Sequence, residues 1–222
     1  MVLHKNVTVA AVMTAPRYEA VWCRNKIEFA LNQAGIPLTV SGGVFYGQCM
    51  QRMLQQLLKQ GVDYALTIDF DSVFTDKHIQ RLLSIVAQED EIDALCAIQP
   101  MRGKERILGS RSKESSVEWT GKPIQLRTGH FGLTVLDLKK LASVEKPWFV
   151  CVPDSNGEFT DERIDDDVYF WRQWEKAGNT LYVDPGCRIG HMEEMISVLD
   201  DNMQIQCWKP DQWESDFAST VD

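Results

Sequence analysis

Tyr64-Ala-Leu-Thr-Ile-Asp-Phe-Asp71 decides the fold, because a largely apolar run ends directly in two carboxylates separated by a single residue. A short apolar run bounded in this way suits a strand covered on both faces, as in a parallel sheet. The neighbouring sequence fits the same plan. Residues 7–13 form another apolar run, opening into the loop Thr14-Ala-Pro-Arg-Tyr18. From Glu19 the spacing of Trp22, Ile27, Ala30, Leu31 and Ala34 predicts a helix that Gly35 ends. Residues 37–40 predict a short strand broken by Ser41-Gly-Gly43. Residues 48–60 predict a helix with Met50, Met53, Leu54, Leu57 and Leu58 on one face, followed by Gly61. Beyond the carboxylates, Thr75 and Asp76 cap a helix whose stripe is Ile79, Leu82, Leu83 and Val86, and residues 92–98 are the next strand.

This alternation predicts an α/β chain with a Rossmann-like mixed, mostly parallel sheet and helices on both faces. The second half is less regular. Residues 100–122 are polar and basic without a period and read as a long loop. Then come a strand over 130–136, a short helix over 138–144 and a helix over 165–177 closed by Gly178. A last strand over 181–183 runs into Asp184-Pro-Gly186, and the tail after Met192 holds Trp208 and Trp213 but no period. No repeat or low-complexity linker divides the chain, so a single domain is expected.

Composition narrows the function classes. The chain has 222 residues, 44% apolar and 25% charged, which is enough for one core and excludes wholesale disorder. A net charge of −9 repels nucleic acid unless a basic patch is segregated on one face. No apolar run approaches the roughly 20 residues of a membrane span. Residues 7–13 are too short and too β-branched for a signal-peptide core, and a first strand is the better reading. The six cysteines form no Cys-x-x-Cys pair and several sit in apolar patterns, so buried free thiols and a cytoplasmic location are expected.

Three stretches carry chemistry. Asp69-Phe-Asp71 lies where open α/β sheets bind ligands, at the carboxyl end of a buried strand. Short, hard carboxylates suit Mg²⁺ or Mn²⁺ on phosphate oxygens, although both can face one point only if the backbone bends after Asp69. Most arbitrary Asp-x-Asp pairs are solvated turns; the apolar strand before this one and Val73-Phe74 after it favour function. Asp165-Asp166-Asp167 opens a helix, where the dipole alone accounts for acids, and where one could instead serve as a base. His191, after Gly190 and beyond the last predicted strand, is a third metal-ligand candidate, against the common reading of a lone structural histidine.

In this order the elements resemble a compact GT-A glycosyltransferase of the family-2-like type found in bacterial viruses. The matching stretches are the opening strand with Pro16-Arg17, Val40-Ser-Gly42, the helix from Gln48 with Arg52, Asp69-Phe-Asp71, and Gly129-His-Phe-Gly-Leu-Thr-Val-Leu136. Further along are Pro147-Trp-Phe149, Asp166-Asp-Val-Tyr-Phe170 with Ala177-Gly178, and Val183-Asp-Pro to Gly190-His191. The resemblance implies a metal-dependent transfer of sugar from a nucleoside diphosphate sugar, with UDP the expected nucleotide, to a hydroxyl. It assigns Mn²⁺ or Mg²⁺ to Asp71 and His191, with Asp69 a ligand or a partner of the ribose. Pro16, Arg17, Ser41, Phe70 and Gly129 would line the nucleotide-sugar pocket, and Arg52 would reach a phosphate. Asp167, then Asp166, would be the base of an inverting reaction. The implied division is a nucleotide-sugar half over 1–99, an acceptor and metal half over 100–192, and a tail over 193–222. Relatives carry Glu-Asp where this chain has Asp166-Asp167, and Ala-Arg-Asn where it has Cys49-Met-Gln51-Arg52.

Arg102, Lys104, Arg106, Arg111 and Lys113 make the loop after residue 98 basic, and they are the expected contacts for acceptor or donor phosphates. They point toward a hydroxymethylated pyrimidine in DNA as acceptor, against the net charge and the lack of a DNA-binding module. The alternative enzyme is a haloacid-dehalogenase-like phosphatase with Asp69 as nucleophile. Its motif normally opens the domain, and its later acidic motif ends a strand rather than beginning a helix. A non-catalytic binder would have lost the ligand residues. A sugar-phosphate nucleotidyltransferase would carry a Gly-rich loop after the first strand, which is missing here.

Overall fold

The computed structural model describes residues 7–16, 19–101, 121–199 and 202–209. In chain order the first half runs β1 (Val9–Ala15), α1 (Val21–Ala34), β2 (Leu38–Gly42), α2 (Tyr46–Lys59), β3 (Tyr64–Asp69), β4 (Ser72–Val73), α3 (Asp76–Val86) and β5 (Ala94–Ile98). The second half runs β6 (Ile124–Leu126), β7 (Leu133–Asp137), α4 (Leu138–Leu141), α5 (Asp166–Lys176), β8 (Leu181–Arg188), β9 (Gly190–His191), β10 (Ile196–Leu199) and β11 (Ile205–Trp208).

The seven-stranded sheet has the order β2-β1-β3-β7-β5-β8-β6. β2, β1, β3, β5 and β8 run the same way, while β7 and the edge strand β6 are reversed. Alternation along β1 divides the core. Ala10 and Val12 face the cluster that holds the buried stripes of α2, α4 and α5, and Ala11 and Met13 face the cluster built on α1 and α3. The result is a mixed α/β, Rossmann-like sheet with helices on both faces, as the alternation predicts. The α2–α5 side is aromatic: Phe131 stacks on Trp171 at 5.2 Å, Phe170 meets Phe131 edge-on at 5.1 Å, and Phe149 stacks on Phe170 at 5.0 Å.

The helix boundaries have local causes. Gly35 closes α1 in the left-handed region at φ 68°, donating its amide to the carbonyls of Asn32 and Leu31, a conformation that a Cβ would strain. α3 begins after Thr75, whose amide donates to His78 Nδ1 at 3.1 Å, a histidine taking the usual acidic place in a capping box.

Four features depart from expectation. β8 continues through Asp184-Pro-Gly186, with a register shift between Ala97 and Ile98. Asp184 is fully buried there, and both its oxygens accept from the Arg81 guanidinium of α3. The strand expected over 130–136 starts only at Leu133, because His130 is held in the preceding turn. β6 has three residues, too few to show a period. In the tail β10 and β11 pair as an antiparallel hairpin, with Leu199, Met203 and Ile205 exposed, so no buried face marked it in the sequence. Among the described residues no helix is long and apolar enough to cross a membrane.

Candidate functional site

The site is organised by a change of direction in the sheet. From β1 the chain moves outward to β2, then returns across β1 to β3, so the strand order reverses between β1 and β3. Ligands of open α/β sheets bind outside the carboxyl ends of strands at such a point. Asp69 ends β3 there, in register with Thr14 of β1, and its amide donates to the Gly132 carbonyl at 3.4 Å. Pro16 follows β1, and Ser41 lies near the end of β2 opposite Thr14, so both occupy the same end of the sheet.

The bend needed after Asp69 is present. Phe70 and Asp71 form a turn, and β4 then pairs antiparallel with β9, setting Ser72 opposite His191 and Val73 opposite Gly190. The ladder continues through Met192 N–H, which donates to the Asp71 carbonyl at 2.8 Å. Asp71, at 6% exposure, is therefore brought to His191, with Oδ2 3.1 Å from Nε2 across 120 residues of chain. Phe70 packs its half-buried ring on the α1–α3 cluster.

Hydrogen-bond chemistry constrains the contact between Asp71 and His191. His191 Nδ1 is 3.1 Å from the Pro100 carbonyl, which only accepts, so Nδ1 carries the proton. Nε2 then turns its lone pair to a carboxylate oxygen, and two acceptors at 3.1 Å require a proton or a cation between them. Metal-ligating histidines donate their other ring N–H to a carboxylate, carbonyl or water, as Nδ1 does here to Pro100. An imidazolium proton on Nε2 and a divalent cation would each satisfy the pair. Among the described residues no three His, Cys, Asp or Glu side chains form a ligand group, so Asp69 does not complete a set with these two.

Tyr46, the first residue of α2, feels Asp69, Asp167 and Asp166 electrostatically. Burial first, and those carboxylates next, push its hydroxyl well above the usual tyrosine value, so it stays a neutral donor. Its ring lies 6.2 Å from Phe149 and 6.4 Å from Phe131, which fixes it to the aromatic side of the core.

The two acids that open α5 have different environments. Asp166 accepts from the Gly47 amide and, at Oδ1, from the Asp167 amide at 3.1 Å, so one carboxylate caps the starts of both α2 and α5. Gly47 is required there, since a Cβ would lie 2.6 Å from Phe149 Cβ and 2.7 Å from Asp166 Oδ2. Burial raises Asp166 against those amides. Asp167 is pushed up to about 6, by burial first and by Asp166 and Asp165 after it, while the Val168 amide at 2.6 Å opposes the rise. A carboxyl tuned to this range accepts a proton near neutral pH.

Arg52 is on the exposed side of α2, roughly 9 Å of helix rise beyond Tyr46. Gly129 is buried where a Cβ would meet Leu181 and Cys96 at 3.1 and 3.3 Å. Arg17, Arg102, Lys104, Arg106, Arg111 and Lys113 lie outside the described residues. Sequence reasoning missed Tyr46, Gln99 and His130. Tyr46 precedes the apolar stripe that defined its helix. His130 is buried and held down to about 4, chiefly by burial; its Nε2–H donates to the Ala97 carbonyl at 2.7 Å and Nδ1 accepts from Gly132 N–H at 3.0 Å.

With this geometry in hand the chain can be set beside known proteins. No protein-family model and no curated protein matches it. Solved structures do. The A197 protein from STIV superposes with a TM-score of 0.58 over 88% of this chain and 92% of its own, at 14% identity. The two proteins share a fold. A Bacillus anthracis protein assigned as a glucose-1-phosphate thymidylyltransferase, solved with sucrose, reaches a TM-score of 0.48 over 80% of this chain and 87% of its own, at 13% identity.

Proposed function

We propose that this protein is a GT-A-like glycosyltransferase that moves a sugar from a nucleoside diphosphate sugar to a hydroxyl acceptor. The observation that carries the reading is the Asp71–His191 pair, 3.1 Å apart, beside Asp69 at the strand-order reversal. Asp71 and His191 would hold Mn²⁺ or Mg²⁺, with further oxygens from the donor diphosphate, and the ion would supply Lewis-acid neutralisation of the leaving group. Pro16 and Ser41 flank the end of the sheet where the nucleotide would lie. Asp69 and the neutral Tyr46 hydroxyl present an acceptor and a donor to donor or acceptor hydroxyls. Asp167 takes the acceptor proton if the reaction inverts the anomeric centre.

The phosphatase reading is less well supported. It needs the later acids at a strand end, and Asp165 to Asp167 instead open α5. It also needs the second aspartate as an acid, and Asp71 is engaged by His191. For the acceptor, the basic stretch from Arg102 to Lys113 supports a phosphate-bearing partner such as modified DNA, whose binding would weaken steeply with salt.

Transfer and hydrolysis assays on a panel of UDP- and GDP-sugars with Mn²⁺ test the reading. Asp71→Ala and His191→Ala should each lower the rate about 100-fold or more with little change in melting temperature. Wild-type rates in either variant at limiting Mn²⁺ would remove that residue as a ligand.

A further inference from the structure

We propose that Gln99 is a positioning residue that clasps β9 onto β4 and so sets the Asp71–His191 pair. The starting point is the shortness of the ladder. β4 and β9 have two residues each, and so short a strand pair is not stable by itself. Gln99, just past the end of β5, is 1% exposed. Its amide nitrogen donates both protons, one to Ser72 Oγ of β4 at 3.2 Å and one to the Gly190 carbonyl of β9 at 3.2 Å. The Gly190 carbonyl only accepts, so the amide orientation is fixed.

The grip extends to both sides of Gln99. Ile189 N–H donates to the Ile98 carbonyl at 3.0 Å, and His191 Nδ1–H donates to the Pro100 carbonyl at 3.1 Å. Three consecutive residues from the end of β5, Ile98 to Pro100, thus bind Ile189, Gly190 and His191, and Gln99 also reaches Ser72 of β4. The arrangement has a cost. Gln99 Oε1 is buried and, among the described residues, has no hydrogen-bond partner. It packs where a Cβ on Gly132 would come within 2.1 Å, so only glycine fits there. A fold that leaves a buried carbonyl oxygen unsatisfied does so where the rest of the group is needed.

The consequence for nucleotide binding rests on the proposed function, whereas the clasp does not, and the test separates them. Hydrogen–deuterium exchange on the full chain, without ligand, is followed in peptides covering 71–73 and 189–192 for Gln99→Leu, with Ser72→Ala as the milder variant should the first not fold. Both should exchange about tenfold faster in those peptides, with β1 and β3 unchanged. Gln99→Met, which keeps the length but has no donor, should lose protection in the same way. UDP titration with Mn²⁺ should show a parallel loss of about tenfold in affinity for Gln99→Leu or Ser72→Ala. Unchanged exchange at 189–192 in a folded variant would overturn the clasp, whatever the titration shows.

Discussion

At the scale of single residues, the account turns on the difference between Asp166 and Asp167. Asp166 accepts amides from the starts of two helices, and Asp167 is held near 6 mainly by burial. A base of that kind gives a rate that falls as pH drops below about 6, while Asp167→Asn should lose about 10²- to 10⁴-fold and the acid limb with it. An inverted product from a fully active Asp167→Asn enzyme would contradict the assignment. The same shift has a consequence for stability. A carboxyl whose folded value lies above its ordinary one of about 4 favours folding when protonated, and that contribution is lost as pH rises through about 6. Asp167→Asn should therefore raise the melting temperature at pH 8 and give no gain at pH 3. Thermal melts at the two pH values check this independently of turnover.

At the scale of elements, the site depends on a few anchors between helix and sheet. Arg81 of α3 holds the fully buried Asp184 of β8, whose Oδ1 also accepts from Gly186 N–H at 3.0 Å. Arg81→Ala should cost about 3 kcal/mol in urea melts, the low end for a buried pair because the Arg81 side chain is 44% exposed. Adding Asp184→Asn should recover part of that loss. Gly47→Ala drives a methyl into Phe149 and Asp166 and should cost about 1–3 kcal/mol while moving α2 from the start of α5. These anchors also show what the sequence could carry. Apolar stripes gave α1, α2 and α3, because burial imposes a helical period on Ile79, Leu82, Leu83 and Val86 or on Met50, Met53, Leu54 and Leu57. Asp184-Pro-Gly186 reads locally as a turn, and its pairing with β5, with Arg81 held on Asp184 from 103 positions away, keeps it in a strand. The hairpin of β10 and β11 buries too little on either face to leave a pattern.

For the whole molecule, β1, β2, β3 and α2 bring Pro16, Ser41, Tyr46 and Asp69 to one end of the sheet, and β9 and α5 return His191 and Asp167 from much later in the chain. The pairing of Asp71 with His191 could be anticipated as chemistry, since both are ligand types near strand ends. The two-residue ladder that joins them and Gln99 beneath it could not, because neither has a period or a motif. Nor could sequence separate Asp69 from the pair, as that depends on how sharply Phe70 and Asp71 turn. With a net charge of −9 and Asp69 and Asp71 at this end of the sheet, a diphosphate would be repelled unless a cation offset them. Isothermal titration of UDP and GDP with and without Mn²⁺ tests this most directly. At least one nucleotide should bind about tenfold tighter or more with the metal, and Asp71→Ala should abolish the difference. Equal, metal-independent binding of both, or no binding of either, would contradict the account.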